Sequence, residues 1–150
     1  MAKRLIVQSP DPILFKKCRT VDTFDERLHV LLDDMKETLV DADGAGLAAP
    51  QVAVLKRVCV VSTEDGYYEL VNPEIKSASG EQTGIEGCLS VKGKYGTVTR
   101  AEKISVTAQD RYGKKHRYKV SGFTARAFQH EIDHLDGILY TSKCTDLQNE

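Results

Sequence analysis

The stretch from residue 57 to residue 121 constrains the fold most. It carries the β-branched or aromatic runs Val58-Cys59-Val60-Val61, Tyr67 to Val71, Ile104 to Thr107 and Tyr118 to Val120. Turn signals separate them at Glu64-Asp65-Gly66, Asn72-Pro73, Ser79-Gly80 and Asp110-Arg111-Tyr112-Gly113. No helical pattern lies between these runs. Parallel neighbours need long crossover connections, so the strands are expected to pair mainly antiparallel. A helix is predicted on either side. Leu28, Leu31, Leu32, Met35 and Leu39 recur at helical spacing, with Asp33, Asp34, Lys36 and Glu37 on the other side. Thr23 and Glu26 form a capping-box pattern ahead of it, and Gly44 is the expected stop. The second helix is predicted from a Ser121 cap to about Leu135, with Phe123, Ala127, Ile132 and Leu135 apolar and Gly137 at its end. The first 22 residues, with Pro10 and Pro12, read as an irregular lead. The class is α+β.

Composition narrows the function classes. The chain has 150 residues, 41% hydrophobic and 29% charged, with a formal net charge of -1. That length predicts a single domain over residues 1–150. The absence of a basic excess excludes an obligate DNA binder. No apolar run approaches the roughly 18 residues of a membrane span, and Met1 to Val7 holds only three apolar residues ahead of Gln8. The expected location is therefore the cytoplasm, without a membrane contact, and the four cysteines are expected to be thiols rather than disulfides.

The sharpest chemical signal is His130-Glu131-Ile132-Asp133-His134. Residues four apart on a helix project from nearly one face, so both imidazoles can reach one metal ion. The intervening glutamate is placed to take a proton from water held on that metal rather than to ligate. A catalytic site of this kind needs a third protein ligand. Downstream of His134 there is no histidine; Asp136, Cys144, Asp146 and Glu150 are poorly placed or close to the end of the chain. Upstream the candidates are Cys18, Cys59, Cys88, His29 and His116. Cys88 is favoured, because Gly87 beside it allows close backbone approach and a thiolate binds divalent metals strongly. A third segment, Gly44-Ala45-Gly46-Leu47-Ala48-Ala49-Pro50-Gln51, formally matches a dinucleotide loop. A helix precedes it and Pro50 obstructs one after it, so that reading fails. Its exposed backbone is better suited to pairing with an extended ligand, and Gln51 to donating an N–H to an oxyanion.

The three segments together, Gly44 to Gln51, Glu86-Gly87-Cys88-Leu89-Ser90 and Gln129 to His134, resemble the peptide deformylases in content and order. The resemblance extends over nearly the whole chain. It implies mixed, mainly antiparallel sheets packed around a central C-terminal helix carrying HExxH, with the N-terminal helix on the outside. The implied reaction removes the formyl group from the N-terminal formyl-methionine of new polypeptides and releases formate. Cys88, His130 and His134 would hold one divalent metal, and Glu131 would act first as base and then as acid. The Leu89 backbone N–H and Gln51 would stabilise the oxyanion. The peptide would lie extended along Gly44, Ala45, Gly46 and Gly87, its methionine near Ile85, Phe123 and Ala127. Arg100 matches a family arginine near the substrate backbone; the competing reading is a strand-edge charge. Asp133 is expected to make a structural ion pair.

Softness and geometry suit the ligand set to Zn²⁺. The resemblance implies Fe²⁺ in the cell, with Zn²⁺, Ni²⁺ or Co²⁺ replacing it in purified protein. The implied partners are N-formylmethionyl ends of nascent chains. A transient ribosome contact through Lys114 to Lys119 is weaker than a solvated hairpin as a reading, and the 13 residues after Gly137 leave little for a docking helix. Lys92 stands where many relatives have proline, and Ala45 where a bulkier apolar residue is common. Arg126 is expected either to rim the methionine pocket or to face solvent. The alternatives are another thiolate-liganded metallopeptidase or amidase, and a non-catalytic metal- and peptide-binding relative.

Overall fold

The computed structural model describes residues 2–149. Met1, part of the N-terminal start considered above, and Glu150, among the acidic residues weighed downstream of His134, lie outside the described residues. Helix α1 spans Glu26–Ala42 and α2 spans Gly122–Leu135. Eight strands accompany them: β1 Gly46–Ala48, β2 Val58–Thr63, β3 Gly66–Ser79, β4 Gln82–Cys88, β5 Val91–Arg100, β6 Lys103–Gln109, β7 Lys115–Ser121 and β8 Thr145–Asn149. They form a five-stranded sheet, ordered β1-β2-β3-β6-β7, and a three-stranded sheet, ordered β4-β5-β8. Every strand pair is antiparallel. This is the expected α+β class.

β2 explains why Val58 to Val61 is apolar without alternation. Its odd and even residues face different cores. Cys59 and Val61 join Leu70, Ile104 and Val106 against Phe128, Ile132 and Leu135 of α2. Val58 and Val60 join Leu47 and Val71 against Leu28, Leu31, Leu32, Met35 and Leu39 of α1. The sheet is thus covered on both faces, α1 outside and α2 inside. A third cluster of Leu14, Val91, Val98, Leu139 and Tyr140 lies under the smaller sheet.

The structure revises both ends of α1. Asp25, not Thr23, is the cap: its carboxylate accepts from the Leu28 N–H at 3.3 Å, while the Thr23 hydroxyl turns to Asp22. The left-handed residue that ends the helix is Asp43, at φ 53, not Gly44. Gly44 is needed for a different reason. A Cβ there would lie 2.9 Å from Leu89 Cδ1 and 3.0 Å from Leu39 Cδ1, so the backbone must pass bare between them. Ser121 does cap α2, but without a side-chain bond. The tail makes a short 3-10 turn, Tyr140–Ser142, and then β8, which pairs with β5 through Lys94↔Asn149, Tyr95↔Gln148 and Thr97↔Thr145.

Gly137 ends α2 as expected and fixes how the lead packs beneath it. Its φ is +75, and a Cβ would fall 2.5 Å from the backbone oxygen of Phe15. Gly137→Ala should therefore cost about 2–5 kcal/mol, combining a left-handed non-glycine residue with a clash that only backbone movement relieves. Urea unfolding midpoints at unchanged slope would measure it. A loss below about 0.5 kcal/mol would mean that the lead yields freely.

Candidate metal and peptide-binding site

α2 runs between the two sheets and brings His130, Glu131 and His134 to one place; β4 ends there with Cys88. One ligand atom each from Cys88, His130 and His134 can be chosen so that all lie within 4.8 Å of one another. Cys88 Sγ is 3.3 Å from His134 Nε2. Ligands about 2.1–2.3 Å from a tetrahedral ion sit roughly 3.5 Å apart, so this spacing fits a divalent metal. Among the described residues no other trio of potential ligands converges in this way. The remaining candidates are engaged elsewhere. Cys18 and Cys59 are buried in the core around α2, and burial pushes the Cys18 thiol up to about 11. Cys144 packs in the third cluster. His29 Nε2 meets the Arg111 carbonyl at 2.9 Å, and His116 pairs with Asp110 at 2.7 Å. Asp136 pairs with Arg57 at 3.0 Å.

The surroundings push the two histidines in opposite directions. His130 Nδ1 lies 2.8 Å from Glu86 Oε1. A carboxylate only accepts, so Nδ1 carries the proton and Nε2 turns toward Cys88. Burial alone would lower the His130 pKa, but the contact with Cys88, the Glu131 charge and the Glu86 bond together push it up to about 10. The negative groups that make His130 grip a proton would equally attract a divalent cation, which must displace the Nε2 proton to be ligated there. His134 goes the other way: burial, with the positive charges of His130 and Arg100, drives it down to about 3 and keeps it neutral, as a ligand must be.

Glu86 is the residue that the motif reading left without a role. It is buried in β4 and accepts from four donors: His130 Nδ1, Arg100 Nε at 2.6 Å, Arg100 Nη2 at 2.9 Å and Arg126 Nη1 at 2.5 Å. Burial would raise its pKa, yet the bonds from His130 and Arg100 hold the carboxyl well below the ordinary range. Arg100 is consequently neither an exposed edge charge nor a wall of the cleft. It is 6% exposed, and its third donor binds Asp133 at 2.9 Å, which makes Asp133 structural. Arg126 is buried too, closing the cleft from behind through Glu86 and the Val98 carbonyl. An acidic residue two before a candidate ligand cysteine, with two arginines at strand and helix positions, was the available signal.

Glu131 is 4% exposed, and its Oε1 has no hydrogen-bond partner among the described residues. Burial pushes its carboxyl up to about 7, against the lowering pull of His130 and Arg100. Gly46 is glycine because the Glu131 carboxylate occupies the space of a Cβ. Gln51, on the short turn Ala49–Val52, is also buried. Its Oε1 accepts from the Ala48 N–H at 2.9 Å. Its Nε2 donates to Ser90 Oγ at 3.0 Å and reaches Cys88 Sγ at 3.6 Å. The irregular lead braces this corner: Gln8 Nε2 donates to the Leu89 carbonyl at 2.8 Å, and the Ser9 N–H to the Ser90 carbonyl at 2.8 Å.

Over these groups lies a cleft of about 520 Å³. Gly44, Ala45 and Gly46 form one wall; Ile85, Gly87, Cys88 and Leu89 form the other; Phe123, Ala127, His130 and Glu131 form the floor. Every residue expected in the cleft lines it except Arg100, Gln51 and His134, which sit behind the lining. Such a cleft can take an extended chain between two strands, an apolar side chain beside Ile85 and Phe123, and a hydrolytic reaction at the three converging side chains.

Residues 3–150 match the family described as Polypeptide deformylase. The chain is 51% identical to Peptide deformylase 1 of Bacillus subtilis (strain 168) over 152 residues, covering 100% of this chain and 95% of the relative. It is 53% identical over 143 residues to the peptide deformylase of Caldicellulosiruptor bescii, covering 95% and 86%. A crystal structure of a peptide deformylase from Thermotoga maritima superposes with a TM-score of 0.94 at 35% identity, covering 97% of this chain and 99% of that one. One from Legionella pneumophila gives 0.92 at 45%, covering 97% and 88%. Motifs, fold and similarity agree, and the chain belongs to the peptide deformylase family, hydrolases that remove the N-terminal formyl group.

Proposed function

We propose that this chain acts as one catalytic domain, in the cytoplasm, on the formyl-methionyl ends of nascent polypeptides, with Fe²⁺ as its metal in the cell. The observation that supports the site assignment best is the convergence of Cys88, His130 and His134 beside the buried Glu131. The family implies a single catalytic metal, and these three side chains would hold it. Bound there, the metal would polarise water and the formyl oxygen.

The protein's own groups do the rest. The peptide pairs its backbone with Gly44 to Gly46 and Gly87, and its methionine enters the apolar floor by Ile85, Phe123 and Ala127. Glu131 takes the proton from the attacking water and returns it to the departing amine; a carboxyl titrating near 7 suits both directions. As charge develops on the formyl oxygen, the Gln51 amide and the Leu89 backbone N–H donate to it. Gln51 is fixed for this by Ala48 and Ser90, and Leu89 by Gln8.

Anaerobically purified, metal-assayed protein should release formate from formyl-Met peptides and leave acetyl-Met peptides intact. Equal turnover of both would favour a general amidase.

A further inference from the structure

β5 has four residues, Lys92 to Tyr95, between the partners of Cys88 and Glu86, where β4 has Gly87 alone; the register runs Cys88↔Val91 and then Glu86↔Gly96. The surplus cannot stay in the ladder, so the strand bulges outward, with Gly93 in the left-handed region at φ +76. The bulge forms a lip of the cleft, and Lys92, Gly93 and Lys94 line it. It is anchored. The Lys94 backbone oxygen lies against Gly87, 3.5 Å from where a Cβ would be, and β8 holds its outer side through Lys94↔Asn149 and Tyr95↔Gln148.

Both lysines are exposed, and neither ammonium has a hydrogen-bond or ion-pair partner among the described residues. The acids lining the same cleft do not offset them. Glu86 is saturated by two arginines and His130, and Glu131 is buried on the floor. Among the described residues that line the cleft, the unneutralised charge at the mouth is positive.

We infer that the Lys92–Lys94 lip selects formyl-methionyl peptides with an acidic side chain at the second or third residue and disfavours basic ones. The inference rests on the deformylase reading and on an extended peptide between Gly44–Gly46 and Gly87. Residues of an extended chain rise about 3.3 Å each, so the two that follow methionine stay within reach of a lip that begins four residues after Cys88. One exposed carboxylate–ammonium contact changes an equilibrium by up to about fivefold, and a lysine in the peptide replaces that attraction with repulsion. The expected ratio of kcat/KM between acidic and basic peptides is about tenfold at low salt. It should appear mainly in KM, because the charges lie away from the reacting carbonyl.

The test uses the metal-loaded enzyme with formyl-Met-Asp-Ala and formyl-Met-Ala-Asp, their lysine counterparts, and formyl-Met-Ala-Ala as neutral reference. At least one acidic peptide should exceed its lysine counterpart about tenfold at about 20 mM salt and less than about threefold at about 500 mM. K92Q/K94Q should erase the ratio, and K92E/K94E should invert it; each variant is read against itself, so a general loss of activity does not disturb the result. Equal kcat/KM for Asp and Lys peptides in the wild type at low salt, or a preference that survives charge reversal, overturns the inference. Turnover of formyl-Met-Ala-Ala without charge discrimination overturns the lip alone. No formate from any formyl peptide overturns the deformylase reading and this inference with it.

Discussion

Glu131→Ala is expected to lower formate release by about 10³-fold or more while leaving metal content unchanged. The two halves of that expectation come from different observations. Metal retention follows from the proposed donors, Cys88, His130 and His134, with Glu131 contributing none of the converging atoms. Loss of turnover follows from the isolation of the carboxylate. It is 4% exposed, Oε1 has no protein partner among the described residues, and Gly46 seals it from the other side. No neighbouring acid can replace it: Glu86 is saturated, and Asp133 is held by Arg100 and Lys143. Glu131→Gln supplies the control for a cavity effect. It keeps the volume packed against Gly46 and removes only the ability to carry the proton, so it should be nearly as inactive as alanine. Metal analysis and steady-state formate assays on both variants decide the matter. A glutamine variant within about tenfold of wild type would remove Glu131 from proton transfer.

How far the sequence reaches is clearest from particular residues. Local rules found Ser121, the apolar face of α1, and the paired histidines, because each signal is contained within one or two turns of chain. They misplaced the α1 cap by two residues, since Asp25 and Thr23 are both competent caps and tertiary packing selected between them. β4 and β5 went unrecognised because Gly84, Gly87, Gly93 and Gly96 interrupt any alternation. Two of those glycines answer to contacts from distant chain: Gly84 faces the Arg126 guanidinium and Gly96 faces Cys144. The same limit hid Glu86. Its role depends on residues 14, 40 and 44 positions away, and only the fold brings them together. Arg100 illustrates the converse, a residue whose matching position suggested substrate contact and whose three donors are consumed inside the protein.

Glu86 also carries the second large effect. Glu86→Ala should weaken metal affinity by about 10–100-fold, because the bond that fixes the His130 tautomer and ring is lost. It should also cost about 3–5 kcal/mol of stability, because Arg100 and Arg126, each 6% exposed, would keep their charges without their shared carboxylate. Asp133 can still hold Arg100, but among the described residues Arg126 has only backbone carbonyls besides Glu86. Glu86→Gln keeps the shape and one acceptor oxygen while presenting an amide N–H₂ to a donor, so its stability loss should be smaller and its metal affinity should still fall. Chelator competition measures the first quantity and urea unfolding of the metal-free protein the second. The two readouts separate two roles that the geometry superimposes. If stability falls in both variants while metal affinity stays at the wild-type value, the cluster holds the sheet to α2 and leaves the orientation of His130 to the packing of Tyr140, whose ring stacks on it at 5.9 Å. If affinity falls in the glutamine variant beyond what its stability loss accounts for, the carboxylate orients the ligand.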